Sequence, residues 1–257
     1  MTPNRTSAAR DPRQSISPLP NKTSGQDRLH RRNFLQRFAV FPRSGVVVLL
    51  VALAALLGRP GGAKAGDFDY LALVLSWSPT YCESENGRGD NAQCAPGRRF
   101  AFVVHGLWPQ YERGWPQYCA TGERYVPEAA IRAMLDIMPS RRLVIHEWRK
   151  HGSCAGLGQA GYFSATRKLF EGLRIPARYL APQTVIATSV EGLASDFLKT
   201  NSWLRRDMIS IQCGNRRDRA ALRELRICFT RDMRPRRCGE NERHQCRAQT
   251  LIMPPVR

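Results

Sequence analysis

Eight cysteines, Cys82, Cys94, Cys119, Cys154, Cys213, Cys228, Cys238 and Cys246, constrain this 257-residue chain more than any other feature. All lie beyond residue 81, their number is even, no C-x-x-C pair occurs and the spacings are long and uneven. That pattern argues for a disulfide framework over a zinc site. Eight cysteines allow so many pairings that the pattern by itself leaves the connectivity open. A framework of this kind forms in an oxidising compartment, so the chain is expected to be exported.

The N-terminal part fits export. Residues 45–58, GVVVLLVALAALLG, form a short apolar run preceded by Arg28, Arg31, Arg32, Arg37 and Arg43 and followed by Ala63-Lys64-Ala65. A basic stretch, a short apolar stretch and an A-x-A site describe a secretory signal; a membrane span would need roughly 20 apolar residues. Residues 1–65 therefore read as an N-terminal extension and signal peptide, with the mature chain starting near Gly66. No stable membrane association is expected after signal removal. Arg31-Arg32-Asn33-Phe34-Leu35-Gln36 is also similar to a twin-arginine export motif, although Pro42 and Arg43 interrupt the apolar run behind it. The Sec and twin-arginine routes both stay open, as do periplasmic and secreted destinations. The leader's length also leaves open whether Met1 is the true start.

Residues 66–257 suffice for one domain with a sizeable core. The whole chain has 40 Lys and Arg against 21 Asp and Glu, a formal charge of +19. With residues 1–65 set aside the surplus is +10. It suits a polyanionic partner, and it also suits plain solubility. Both N-x-T matches, at Asn4 and Asn21, fall in the leader.

The period of the apolar residues predicts the elements. Phe68 to Trp77 reads as a buried strand and Cys82 to Cys94 as a polar loop. Phe100 to Val104 reads as a second strand, with His105 at its end released into a loop by Gly106 and Pro109. Tyr111 to Gly122 is a loop carrying Trp115, Tyr118 and Cys119. Helices are expected from Pro127 to Met138, Leu143 to about His151 and Gly161 to Leu173. Another is expected from the capping box Thr188-Ser189-Val190-Glu191 to Lys199. Met208 to Ile211 and Leu222 to Phe229 alternate as strands, and the chain beyond Arg231 reads as stapled rather than packed. The expected fold class is α+β, with a central, mainly antiparallel sheet and segregated helices.

Residues 146–154, HEWRKHGSC, place two histidines, a glutamate and a lysine within six residues. Polar groups this dense line clefts more often than they fill cores. An H-E-x-x-H zinc motif would need a histidine four places after His146. Lys150 stands there, so the register disfavours zinc. Acid-base chemistry fits better: of two imidazoles, one takes a proton from a nucleophile while the other protonates a leaving oxygen. A nearby lysine stabilises the charge developing on a phosphoryl group. His105 and His151, with Lys150, supply those parts. The bland alternative is a satisfied strand-end histidine and a charged helix face.

Two segments, FVVHGLWPQ at residues 102–110 and HEWRKHGSC at 146–154, resemble the motifs of the ribonuclease T2 family of secreted RNA-cleaving enzymes. The resemblance implies a metal-independent endoribonuclease needing no cofactor, with single-stranded RNA as its partner; a monomer is expected, although nothing in the sequence fixes the oligomeric state. It implies His151 as general base towards the ribose 2′-hydroxyl and His105 as acid towards the 5′-oxygen. Glu147 and Lys150 would stabilise the pentacoordinate phosphorus, and His146 would bind phosphate. The product would be a 2′,3′-cyclic phosphate, hydrolysed on to a 3′-phosphate; DNA lacks the required hydroxyl. Trp108 resembles a base-stacking residue, with Trp115 or Tyr118 completing the platform. Ser153 stands where the family often has threonine, and Gln110 where some relatives carry aspartate, so no base preference carries over. The family's cysteine layout implies the pairs Cys82–Cys94, Cys119–Cys154, Cys213–Cys246 and Cys228–Cys238. The alternatives are a basic RNA-binding or toxin-like protein on the same scaffold with reduced catalysis, and a zinc hydrolase.

Overall fold

The strand β1, Tyr70–Trp77, is apolar at nearly every position, as suits a strand buried on both faces. Alternation sends Leu71, Leu73 and Leu75 into the main core. Tyr70, Ala72 and Val74 point the other way, into a smaller cluster with Cys228 against which Trp108 packs. A computed structural model describes residues 64–214, 219–243 and 246–256, which belong to one compact unit, Gly58–Arg257. The expected leader lies outside the described residues except for Lys64 and Ala65.

After β1 come two short helices, α1 (Ser78–Glu83), which runs into the start of the expected Cys82–Cys94 loop, and α2 (Asn91–Cys94), which lies within it. The Asp90 side chain accepts from the backbone N–H of Gln93 and so caps α2. Strand β2 (Phe102–Gln110) follows, then helices α3 (Glu128–Arg132), α4 (Arg141–Lys150) and α5 (Gly158–Glu171). Strand β3 (Ile186–Thr188), helix α6 (Val190–Thr200) and strands β4 (Ile209–Cys213), β5 (Arg219–Phe229) and β6 (Thr250–Met253) complete the order. The strands form one sheet in the order β2-β1-β5-β6-β3, with β4 also paired to β5. The pairs are antiparallel apart from β5 with β6. This is the expected α+β architecture.

The helices cover one face: Val144 and Trp148 of α4, Tyr162 and Leu169 of α5 and Phe197 of α6 join the main core. Burying a side chain of that size fully contributes about 1.5–3 kcal/mol. Ser189 caps α6 by accepting from the Gly192 N–H, one residue later than the capping box from Thr188 to Glu191 predicts, and the Glu191 carboxylate accepts from Arg206 instead. The helix expected from Pro127 to Met138 is shorter, giving way to turns after Arg132. Its apolar set still packs, with Ile131, Met134 and Met138 buried. The turns leave the Ile137 carbonyl free to accept from the Val104 N–H of β2 at 2.9 Å.

Two expectations are corrected. The chain beyond Arg231 is packed as well as stapled, since β6 buries Leu251 and Met253 in the main core. His105 does not end a strand, because β2 runs on through Gln110. The β1–β2 register is Val74 with Gly106 and then Leu75 with Val104, so His105 is the extra residue of a bulge. Such a bulge re-aims a side chain without ending the pairing. Val104 and Leu107 both keep their places in the main core, while His105 and Gly106 turn towards the opposite side.

The four disulfides are Cys82–Cys94, Cys119–Cys154, Cys213–Cys246 and Cys228–Cys238, the pairs implied by the resemblance. The second ties the loop carrying Trp115 and Tyr118 to the turn that follows α4.

Candidate active site

The bulge in β2 and the C-terminal end of α4 meet at Gly106. A methyl group on Gly106 would collide with the Glu147 carboxylate and the Trp108 indole nitrogen. The bare backbone lets those two groups bond instead: Trp108 Nε1 donates to Glu147 Oε2 at 2.7 Å. Glu147 is 1 % exposed. Its other oxygen, Oε1, has no hydrogen-bond partner and lies 3.6 Å from His105 Nε2. Burial pushes the Glu147 carboxyl up to about 7, against the pull of His105, the Trp108 N–H and Lys150.

His151 closes the last turn of α4, with its N–H bonded to the Glu147 carbonyl. Its ring is buried and lies parallel to the Trp108 ring, with centroids 4.8 Å apart and planes at 18°. Its Nδ1 is buried without a partner. Burial, followed by the nearby charges of Lys150, His105, His146 and Arg226, holds its pKa down at about 2. The neutral imidazole is therefore the form that this environment favours.

His105 is pushed the other way. Burial alone would lower its pKa, but a hydrogen bond to Glu224 and the charges of Glu147 and Glu224 outweigh that and Arg226, so the pKa is raised. Its Nδ1 meets Glu224 Oε1 at 3.0 Å. Arg226 grips the other Glu224 oxygen at 2.6 and 3.0 Å and is itself held by the buried carboxylate of Glu242 at 3.1 and 3.3 Å. The Arg226 guanidinium also sits 4.9 Å from the Trp108 ring centroid. Although burial opposes it, contact with His105 and Arg226 brings the Glu224 carboxyl down to about 2.

Apart from Glu147 and Tyr118, the expected residues fall on two depressions that flank this centre. One of about 800 Å³ is lined by His105, His146, Arg142, Tyr81, Arg223 and Glu224 among others. The other, of about 550 Å³, is lined by Trp108, Trp115, Lys150, His151, Arg226 and Asn241 among others. His146 is exposed, and its surroundings together with Lys150, His105 and Arg142 keep its pKa below the usual value. Trp115 is 52 % exposed and opens onto the second depression. Tyr118 is equally exposed but lines a separate depression with Arg124 and Arg149. Its backbone has φ of 52° and its N–H is bonded to the Lys150 carbonyl. Trp108 already has His151 and Arg226 against its ring. Gln110 is buried with its amide engaged by Asn241 and by the Pro109 carbonyl.

Glu224, Arg226 and Glu242 escaped the sequence reading. The available signal was a glutamate and an arginine two residues apart in β5, both on the side opposite the main core, where an alternating strand puts functional as readily as solvated groups. Among the described residues, no group of three or more His, Cys, Asp and Glu side chains is arranged to hold a metal ion.

Fold and site together define a disulfide-stapled α+β protein whose cleft sets a histidine buried in its neutral form beside one whose charged form is favoured by a carboxylate. Residues 68–238 match the model of the ribonuclease T2 family, and the chain belongs to that family. A ribonuclease of Aeromonas hydrophila is 43% identical over 135 residues, covering 52% of this chain and 60% of that protein. A probable ribonuclease of Haemophilus influenzae is 31% identical over 188 residues, 68% of this chain and 62% of that one. The chain thus spans about six tenths of the length of these two relatives. Among solved structures, an RNase-related protein from Calystegia sepium superposes with a TM-score of 0.58 at 26% identity, covering 74% of this chain and 98% of that one.

Proposed function

We propose that the chain is an endoribonuclease that cleaves single-stranded RNA by acid-base transesterification. The observation that carries this reading is the pair of site histidines that share Trp108, the buried His151 ring stacked on the indole and His105 edge-on to it with Nδ1 engaged by Glu224, so that burial disfavours the charged form of His151 while Glu224 favours that of His105. When environments push two groups apart in this way, they become the base and the acid of one reaction. His151 takes the proton of the ribose 2′-hydroxyl, and the resulting oxyanion attacks phosphorus. His105 protonates the departing 5′-oxygen. Glu147 and Lys150 stabilise the charge that gathers on the phosphoryl oxygens, and His146 binds phosphate. The 2′,3′-cyclic phosphate is then opened by water, with the two histidines exchanging roles.

Trp115, which opens onto the depression that holds His151, stacks on a base there; Trp108, whose ring already carries His151 and Arg226, borders the same depression, and Tyr118 stands further out. The catalytic domain is residues 66–257, acting as a monomer on RNA. Four disulfides fit an exported protein, and among the described residues no helix is long and apolar enough to cross a membrane. The destination is the periplasm or the medium after cleavage before Gly66, which N-terminal sequencing of the exported protein would check.

The test is incubation of the purified protein with RNA and with DNA in excess chelator. Products ending in 2′,3′-cyclic phosphate and then 3′-phosphate, with DNA untouched, are expected. Cleavage of DNA, 5′-phosphate products or loss of activity with chelator would overturn the reading.

A further inference from the structure

We propose that Glu224 is a positioning residue for His105, holding the Nδ1 proton so that Nε2 is the nitrogen that delivers a proton to the leaving oxygen. This rests on the ribonuclease reading above. A histidine with one ring nitrogen engaged by a carboxylate has its tautomer and its ring orientation decided by that bond. Here Nδ1 is engaged by Glu224 at 3.0 Å, and Nε2 faces the Glu147 side at 3.6 Å from Oε1.

The carboxylate is itself fixed. Arg226 donates twice to its second oxygen, and the Arg226 guanidinium is anchored on Glu242, whose side chain is fully buried. The chain His105, Glu224, Arg226, Glu242 therefore leaves Glu224 little freedom to turn away. Arg226 also prevents Glu224 from taking the proton: its positive charge keeps the carboxylate ionised while the imidazole carries the charge that catalysis needs. The bulge that displaces His105 from the regular pleat brings its ring within reach of β5, two strands away.

The titratable and charged groups acting on His105 come from two elements. Helix α4 supplies Glu147, His146 and His151, and β5 supplies Glu224 and Arg226. Replacing Glu224 by a neutral residue leaves Glu147 as the one carboxylate of that set, and leaves Arg226 less compensated. Both changes disfavour imidazolium, so His105 should lose its proton at lower pH.

The experiment follows the full exported protein and its Glu224→Gln and Glu224→Asp variants by kinetics on RNA and by NMR titration of the His105 ring. Glu224→Gln should lower kcat about tenfold or more at pH 7 with KM nearly unchanged, and should move the His105 titration down by about one pH unit. Glu224→Asp should recover part of both effects. In the unmutated protein, neutral His105 should carry its proton on Nδ1. A His105 titration unmoved in Glu224→Gln, or a neutral ring protonated on Nε2, would overturn the proposal, and the second measurement stands even if the variant fails to fold. Absence of RNA cleavage by the unmutated protein with the ring behaviour intact would instead remove the ribonuclease reading.

Discussion

The ring of His151 lies face to face with the indole of Trp108, 4.8 Å between centroids. The same indole meets His105 edge-on at 5.1 Å and donates its N–H to Glu147. One side chain on β2 thereby sets the positions of three titratable groups. It shields His151 from water, which favours the neutral imidazole, and it keeps a hydrogen bond on Glu147, which favours the carboxylate.

Removing either histidine should remove the reaction while leaving the fold. His105→Ala and His151→Ala should each lower kcat by several orders of magnitude, with RNA binding retained because the cationic cleft remains. Rates near those of the unmutated protein in either variant would exclude that residue from the chemistry.

The dependence of kcat/KM on pH should be broad and displaced to the acid side of 7. His151 is neutral above about 2, so its limb lies far below the usual imidazole value. The alkaline limb belongs to the adjacent Glu147 and His105 acting as a pair, one carboxyl pushed up to about 7 and one imidazole raised. Above that limb an ionised Glu147 faces the phosphate and His105 has lost the proton it must give. A narrow profile centred above 8 would contradict this.

Stability should respond to the same groups with opposite signs. For Glu147 the folded value, about 7, exceeds the ordinary 4.5, so the unfolded chain ionises first and stability is lost as pH rises from 4.5 through 7. Glu147→Gln removes that loss while its carbonyl can still accept from Trp108. The variant should gain on the order of 2 kcal/mol relative to the unmutated protein between pH 4.5 and pH 8 in urea unfolding. His151 and Glu224, both held at about 2, act in reverse: their stabilisation is lost as pH falls below 6.5 and 4.5 respectively. A Glu147→Gln difference that does not grow with pH would contradict the assignment.

Opening the Cys119–Cys154 bridge should cost activity as well as stability. Cys154 lies in the turn immediately after His151, and the Cys119 side leads back to Tyr118, whose N–H is bonded to the Lys150 carbonyl. The paired replacement Cys119→Ser with Cys154→Ser should destabilise by about 2–4 kcal/mol and lower kcat more than it raises KM. A stable double variant with full kcat would show that the helix end holds His151 without the bridge.

Much of this site is legible in the sequence because its chemistry is dense. His146, Glu147, Lys150 and His151 fall within one helical segment, and FVVHGLWPQ announces His105. What stays hidden depends on pairing between distant strands. Glu224 is 119 residues from His105, and only the β1–β5 register brings it within reach. The bulge is hidden for the same reason, since an extra residue in β2 is defined by its partner in β1. Tyr118 and Trp115 are neighbours in sequence, yet the positive φ at Tyr118 accompanies its placement on a different depression. Connectivity of the cysteines came through family resemblance, because spacing alone does not choose among pairings.

Gly106→Ala tests whether the site depends on close approach at the bulge. A glycine inside a strand weakens it and usually marks a bulge or a near neighbour, and here both hold. The added methyl would meet the Glu147 carboxylate and Trp108 Nε1, the two ends of a 2.7 Å hydrogen bond. Either that bond breaks, leaving both Glu147 oxygens unpartnered and the Trp108 ring free to shift from His151, or β2 moves and carries His105 with it. Overpacking of this kind costs about 1–3 kcal/mol, and a broken bond to a charged group has a similar cost. The variant should unfold earlier in urea, lose at least about tenfold in kcat from misplacement of the acid and base, and show a displaced Trp108 indole N–H resonance. An alanine variant with the original resonance, stability and rate would mean that the bulge has room to spare and that the Trp108 bond does not organise the two histidines.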